Sequence, residues 1–335
     1  NITMVLKKFP LTPGEIEKAR DFSRDRRFDL VYVPGVSEEE TNRYVRIPSN
    51  EYFHLFQDML DRGKREKFLE SYVFDVRPVR DDAPFFNYYL SLKNAADIYR
   101  TMGGKWQYFI EEGYLLPVVF AQVLVLGFLL IVVPAIAQGR SSGDRAGTRG
   151  GRSLLPYFAF LGLGYLFVEI TIIQKMILTL ETPSYAVAAV LTSLLVASGI
   201  GSFAGQRVRG PGRVAVLLWV AVLIGVASVV LPAAGSAIAS QELPVKMGAT
   251  FLLLLPLGLL MGIPFPLGLR VLGERSETLI PWAWAINGCF SVLAPLLAVM
   301  LAMVVGFKGV LWLGALCYLA AYFLLRLFLK KRDHV

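Results

Sequence analysis

Residues 214–238 read Val-Ala-Val-Leu-Leu-Trp-Val-Ala-Val-Leu-Ile-Gly-Val-Ala-Ser-Val-Val-Leu-Pro-Ala-Ala-Gly-Ser-Ala-Ile, 25 residues without a charge. At about 1.5 Å per helical residue the stretch outreaches the roughly 30 Å of hydrocarbon in a bilayer. Six more apolar stretches of spanning length accompany it, at residues 114–137, 154–178, 184–205, 247–269, 280–304 and 309–329. The sequence therefore predicts a polytopic α-helical membrane protein of about seven transmembrane helices, residues 113–335, behind a soluble head, residues 1–112.

Composition supports that division. Of the 335 residues 55% are hydrophobic and only 18% charged, and mean hydropathy is +0.53. Soluble domains hold about 25% charged residues, so an ordinary cytosolic enzyme and a disordered chain are excluded. The net charge of +8 is not a nucleic-acid footprint. The head holds 18 Lys/Arg against 19 Asp/Glu, the membrane part 16 against 7. In the membrane part 13 basic residues fall on one face, among them Arg140, Arg152, Arg207, Arg213, Arg270, Arg326 and Lys331, whereas Lys175, Lys246 and Lys308 fall on the other. The positive-inside rule makes the arginine-rich face and the C-terminus cytoplasmic, and the membrane is expected to be a bacterial inner (plasma) membrane. Seven crossings then put the head outside. Cys289 and Cys317 lie in apolar runs and the histidines are His54 and His334, so no metal site is expected.

The head reads as β-α-β followed by helices. Ile2-Thr3-Met4-Val5-Leu6 and Leu30-Val31-Tyr32-Val33 are strand-like, and Thr12-Pro13-Gly14-Glu15 opens a helix with a capping box. Residues 50–62 and 64–72 read as amphipathic helices, and Phe74 to Leu92 as extended or looped chain. Two strands make no independent sheet, and the chain opens without Met inside a strand-like run. It reads as a piece of a longer protein, with that upstream part as a partner.

Several residues are candidates for chemistry. Glu169 lies roughly 22 Å into its span, counted from Leu154. A carboxylate there is either a working group facing a wet cavity or a protonated acid bonded to a neighbouring helix. Lys175, about 120° round the helix, is expected to snorkel to the interface near Glu181. Gly262-Ile263-Pro264-Phe265-Pro266-Leu267-Gly268 breaks the fifth span, as a packing kink or as a gate. Trp282 and Trp284 read as an interfacial belt, and Asn287 as an interhelical donor or a ligand-binding group. Gly201-xxx-Gly205 and Gly258-xxx-Gly262 are faces for close helix packing. Asp81 and Asp82 belong either to a solvated ion-pair network or to an acidic site that attracts a polyamine or another small cation.

Three stretches carry a resemblance: Phe74-Asp75-Val76-Arg77-Pro78 through Asp81-Asp82-Ala83-Pro84-Phe85-Phe86; Gly162 to Glu169 with Ile173-Gln174-Lys175; and Gly258 to Leu269 with Pro281-Trp282-Ala283-Trp284-Ala285-Ile286-Asn287-Gly288. Over about residue 28 to the end, the chain resembles membrane-integrated spermidine-synthase-like proteins, in which a class I S-adenosylmethionine-type domain joins transmembrane bundles. The resemblance implies that the α/β head is the C-terminal end of a Rossmann-like transferase domain. It also implies decarboxylated S-adenosylmethionine or S-adenosylmethionine as the cofactor of the whole protein, and Gln174 joins Glu169, Asn287, Asp81 and Asp82 as a substrate-binding candidate. The family's glycine-rich cofactor turn has no counterpart in residues 1–112, and neither Asp75 nor Asp81 and Asp82 fall in its catalytic motif. Cofactor-binding residues are therefore expected to be absent from this chain. Two functions remain open: the membrane portion of an aminopropyl or methyl transferase, or a bundle that binds or moves a small polar or cationic solute.

Overall fold

A computed structural model describes residues 3–46, 51–85, 94–101, 103–105, 107, 114–127, 129–130, 133–134 and 151–330. The chain divides into two compact units, Asn1–Pro78 with Tyr89–Gly104, and Val79–Tyr88 with Lys105–Val335.

The first unit holds short helices: α1 (Pro13–Arg26), α2 (Glu51–Leu60), α3 (Arg65–Ser71) and α4 (Ala95–Thr101). The start of α1 follows its sequence signal. The Thr12 backbone N–H donates to the Glu15 carboxylate at 2.8 Å, and Lys7 donates to the same group at 2.8 Å. The Lys7 hydrogen bond, with those from Thr12, holds the Glu15 carboxyl down at about 2. Among the described residues the strand-like runs do not become strands. Among the described residues β-pairing is limited to isolated bridges, Leu30 with Thr41 and Arg80 with Ala83. Met4, Val5 and Leu6 are 75–84% exposed. A strand is stabilised by the ladder beside it, and no neighbouring strand lines up here among the described residues.

The second unit is a helical bundle: α5 (Leu115–Gly127), α6 (Leu155–Leu180), α7 (Pro183–Gly205), α8 (Gly212–Ile238), α9 (Leu243–Met261), α10 (Pro264–Gly273) and α11 (Ile280–Lys330). Five helical segments, α6, α7, α8, α9 with α10, and Glu277–Lys330, are long and apolar enough to cross a membrane, as in an integral membrane protein. The helix α5 is shorter, and the rest of the 114–137 stretch falls largely outside the described residues.

The last segment is far longer than a bilayer is thick, and it breaks at Gly306 (φ 75°, ψ 164°). Its two arms run opposite ways along α6. In the first arm Asn287 meets Phe158, near the start of α6. In the second arm Gly314 faces Val168, and Cys317 and Tyr318 face Gly164. Contacts that descend α6 as the second arm advances mean that Gly306 is a turn. Phe167, Ala294, Ala298, Ala302, Phe307 and Val310 fill the space between the arms and α6.

The small-residue faces do what their spacing predicts. A Cβ at Gly201 would collide with the Leu259 carbonyl oxygen, and one at Gly262 with the Ser198 carbonyl oxygen. Backbones of α7 and α9 thus touch at two levels, an approach that only glycine permits. The break between α9 and α10 is packed with protein. The Tyr157 hydroxyl, fully buried, donates to the Pro264 carbonyl at 2.7 Å. Phe158, Phe265 and Trp284 continue the seam edge to face, with centroids 5.7 and 4.7 Å apart.

Candidate functional site

The bundle has two electrostatically distinct ends. At one end, where α6 finishes, Lys175 and Lys246 are 13% and 5% exposed in their side chains. Each has an acid: Asp82 accepts from Lys175 Nζ at 2.7 Å, and Glu181 accepts from Lys246 Nζ. Burying an ammonium without a counter-charge is expensive, which explains why both acids are there. The Lys246 hydrogen bond holds the Glu181 carboxyl below its ordinary range. This corrects the expectation for Lys175, whose partner is Asp82, 93 residues away in sequence, rather than the interface near Glu181.

Asp82 does more than neutralise Lys175. Its carboxylate accepts the Lys308 backbone N–H at 3.0 and 3.2 Å, and its carbonyl accepts the Phe307 N–H at 2.8 Å. These donors belong to the first turn of the second arm of α11, where backbone N–H groups have no helical acceptor. Asp82 is therefore that arm's N-cap, supplied from 226 residues away in sequence. Phe85 reinforces the contact, its ring 5.4 Å from that of Phe307. A Cβ at Gly306 would strike the Asp82 carboxylate.

At the opposite end Arg270 donates to the carbonyls of Gln206 and Val208, both at 2.8 Å, and so closes the C-terminus of α7. Arg213 lies 3.7 Å from Glu274, and Arg275 stacks over Phe328. The Gly151 backbone faces Leu279 and Leu272. Arg152, Arg207, Arg213, Arg270, Arg275, Arg326 and Lys330 thus gather at one end of the bundle, as their grouping in sequence predicts. Arg140, Arg145, Arg149, Lys331 and Arg332 lie outside the described residues.

Between the ends sits Glu169, 9% exposed on α6. Among the described residues its carboxyl group forms no hydrogen bond. Tyr165, one turn earlier, brings a phenol close to Glu169 and to the Ser198 hydroxyl of α7. Tyr165 thus neighbours Glu169 and Ser198, and the buried hydroxyl of Thr171 lies two residues beyond Glu169 on α6. Tyr165 and Ser198 had no distinguishing signal in the sequence, because a tyrosine and a serine inside a span are common packing residues.

The candidates from the sequence are not brought into one site. Asn287 donates to the Phe158 carbonyl at 3.0 Å, eleven residues and about 16 Å along α6 from Glu169. Gln174 is half-buried beside Lys175, and lies about 140° round the helix from Glu169. Asp82 is committed to Lys175 and the α11 turn, whereas its neighbour Asp81 is exposed. The charged stretch before them forms a local ion pair, Asp75 with Arg77, and that guanidinium holds the Asp75 carboxyl below its usual range. Among the described residues no group of three or more His, Cys, Asp or Glu is placed to hold a metal. Comparison with protein-family models, curated proteins and solved structures finds no match to this chain.

Proposed function

We propose that the chain is the membrane-embedded part of a spermidine-synthase-like protein and that its bundle binds a small organic cation of the polyamine kind at Glu169. The observation that carries this reading is the carboxyl group of Glu169, without a hydrogen-bond partner among the described residues, in the middle of an apolar helix. A protonated amine supplies the counter-charge that such an acid lacks, with the Tyr165 phenol one turn earlier on the same helix as a neighbouring hydroxyl. In this reading the bundle crosses an inner membrane seven times, counting α5 once and α11 twice, with the arginine-rich end and the C-terminus in the cytoplasm. The head is then the C-terminal end of a Rossmann-like domain on the other side.

A second reading makes the chain the membrane portion of an aminopropyl or methyl transferase that uses an adenosyl cofactor held upstream. The three stretches of resemblance favour it. The split of basic residues weighs against a cytosolic head, since seven crossings put residues 1–112 opposite the arginine-rich face.

Equilibrium dialysis of the full chain in micelles against labelled spermidine tests the first reading. Saturable binding is expected, weakened at least tenfold by Glu169→Gln. Equal binding by the wild type and the variant removes Glu169 from the function. Ser37, exposed in the first unit, takes a cysteine for labelling by a membrane-impermeant thiol reagent. Labelling in intact cells supports an outside head; labelling only after lysis restores the cytosolic transferase.

A further inference from the structure

The cations at the two ends of the bundle are used differently. Lys175 and Lys246 are matched by acids. At the arginine end, Arg213 and Arg270 are spent on Glu274 and on backbone carbonyls. Arg326 and Lys330 are not: both are exposed, and neither has an acid within ion-pair distance among the described residues. They stand one helical turn apart on the same face of α11, a like-charge spacing that destabilises a helix unless an anion lies between. Tyr322 stands one turn before them on that face. Its hydroxyl oxygen accepts from Arg326 Nη1 at 3.2 Å, which leaves the phenol hydrogen free to donate outward. Lys331 and Arg332 follow in the sequence, with Asp333 as the nearest acid in the chain.

Depth decides what such a face meets. Lys308 is held at the other end by Asp82. Along the helix Arg326 is about 27 Å beyond Lys308, and Lys330 about 33 Å. They bracket the far edge of a hydrocarbon layer about 30 Å thick, where the headgroup region begins and long basic side chains reach outward to lipid phosphates. Phe323 and Leu327, beside them, are 56% and 59% exposed, apolar surface suited to acyl chains.

We propose that Tyr322, Arg326 and Lys330 form a binding site for the phosphate headgroup of an anionic phospholipid. The guanidinium and the ammonium pair with the phosphodiester, and the phenol donates a third hydrogen bond. The site does not depend on Glu169 or on any transferase activity.

The test is native mass spectrometry of the full chain released from micelles containing equal amounts of phosphatidylglycerol and phosphatidylcholine. Retention of phosphatidylglycerol at least fivefold over phosphatidylcholine is expected. Arg326→Gln with Lys330→Gln should abolish the preference; both side chains are exposed, so helical content should not change. Arg207→Gln with Arg209→Gln, exposed at the same end, should leave the preference intact. Equal retention of the two lipids overturns the proposal, as does a preference that survives Arg326→Gln with Lys330→Gln. A loss as large in the Arg207 and Arg209 variant reduces the effect to general charge and also overturns it. Displacement of the lipid by excess inorganic phosphate would show a site for free phosphate instead.

Discussion

Substituting Asp82 with alanine removes the carboxylate that Lys175 and the Lys308 N–H share. A hydrogen bond to a charged group contributes about 1.5–3 kcal/mol. The Asp82 side chain is 39% exposed, so solvent screening lowers the ion-pair part. The Lys175 ammonium, 13% exposed, would then lack a counter-charge and be poorly hydrated. Together these put the loss for Asp82→Ala at about 2–3 kcal/mol. Asp82→Asn keeps an oxygen for the Lys308 N–H and loses the charge, so its loss should be about 1–2 kcal/mol. Lys175→Met removes the ammonium and leaves the N-cap in place. A double-mutant cycle of Asp82→Asn and Lys175→Met, read by detergent-driven unfolding in mixed micelles, should give a coupling energy of about 1–2 kcal/mol. Additivity of the two substitutions within about 0.5 kcal/mol would refute a working ion pair. A harmless Asp82→Ala would refute the trans N-cap as well.

Three glycines offer a graded test of packing. Gly201→Ala and Gly262→Ala each press a methyl group into a facing backbone carbonyl and should cost at least about 1–3 kcal/mol. Gly248→Ala, with open space around its Cβ, should be neutral or slightly stabilising in the same unfolding assay. In the head, the Glu15 carboxyl is lowered from 4.5 to about 2, so its contribution to α1 is present above pH 4.5 and is lost as pH falls toward 2. The helical circular dichroism of an isolated α1 peptide spanning residues 7–27 should fall over that interval, and Glu15→Gln should flatten the fall.

The spans were legible because an apolar run of 20 or more residues has few other uses, and 154–178, 184–205 and 214–238 reappear within a few residues as α6, α7 and α8. The turn at Gly306 was legible too, as the gap between the stretches 280–304 and 309–329. Gly201 and Gly262 announced close packing through their spacing alone. The strand-like runs at 2–6 and 30–33 misled, because β-propensity describes fitness for a ladder and cannot supply the neighbouring strand. The Asp82–Lys175 pair was invisible: no local pattern links residues 93 positions apart, and the charged stretch around Asp82 resembles any solvated loop. Glu169 stood out by its depth, whereas Tyr165 acquires meaning only from its place one turn before it.

The phenol of Tyr157 bears on how this bundle can move. Two prolines so close together would ordinarily make a flexible joint, one half-helix free to swing against the other. Here the joint is tied across to α6 by the hydroxyl and wedged by the rings of Phe158 and Phe265. Bending there would break a buried bond and open a void in the aromatic seam. α6 and α10 should therefore travel as one rigid body, and any relative movement of helices in the bundle has to occur along a different seam.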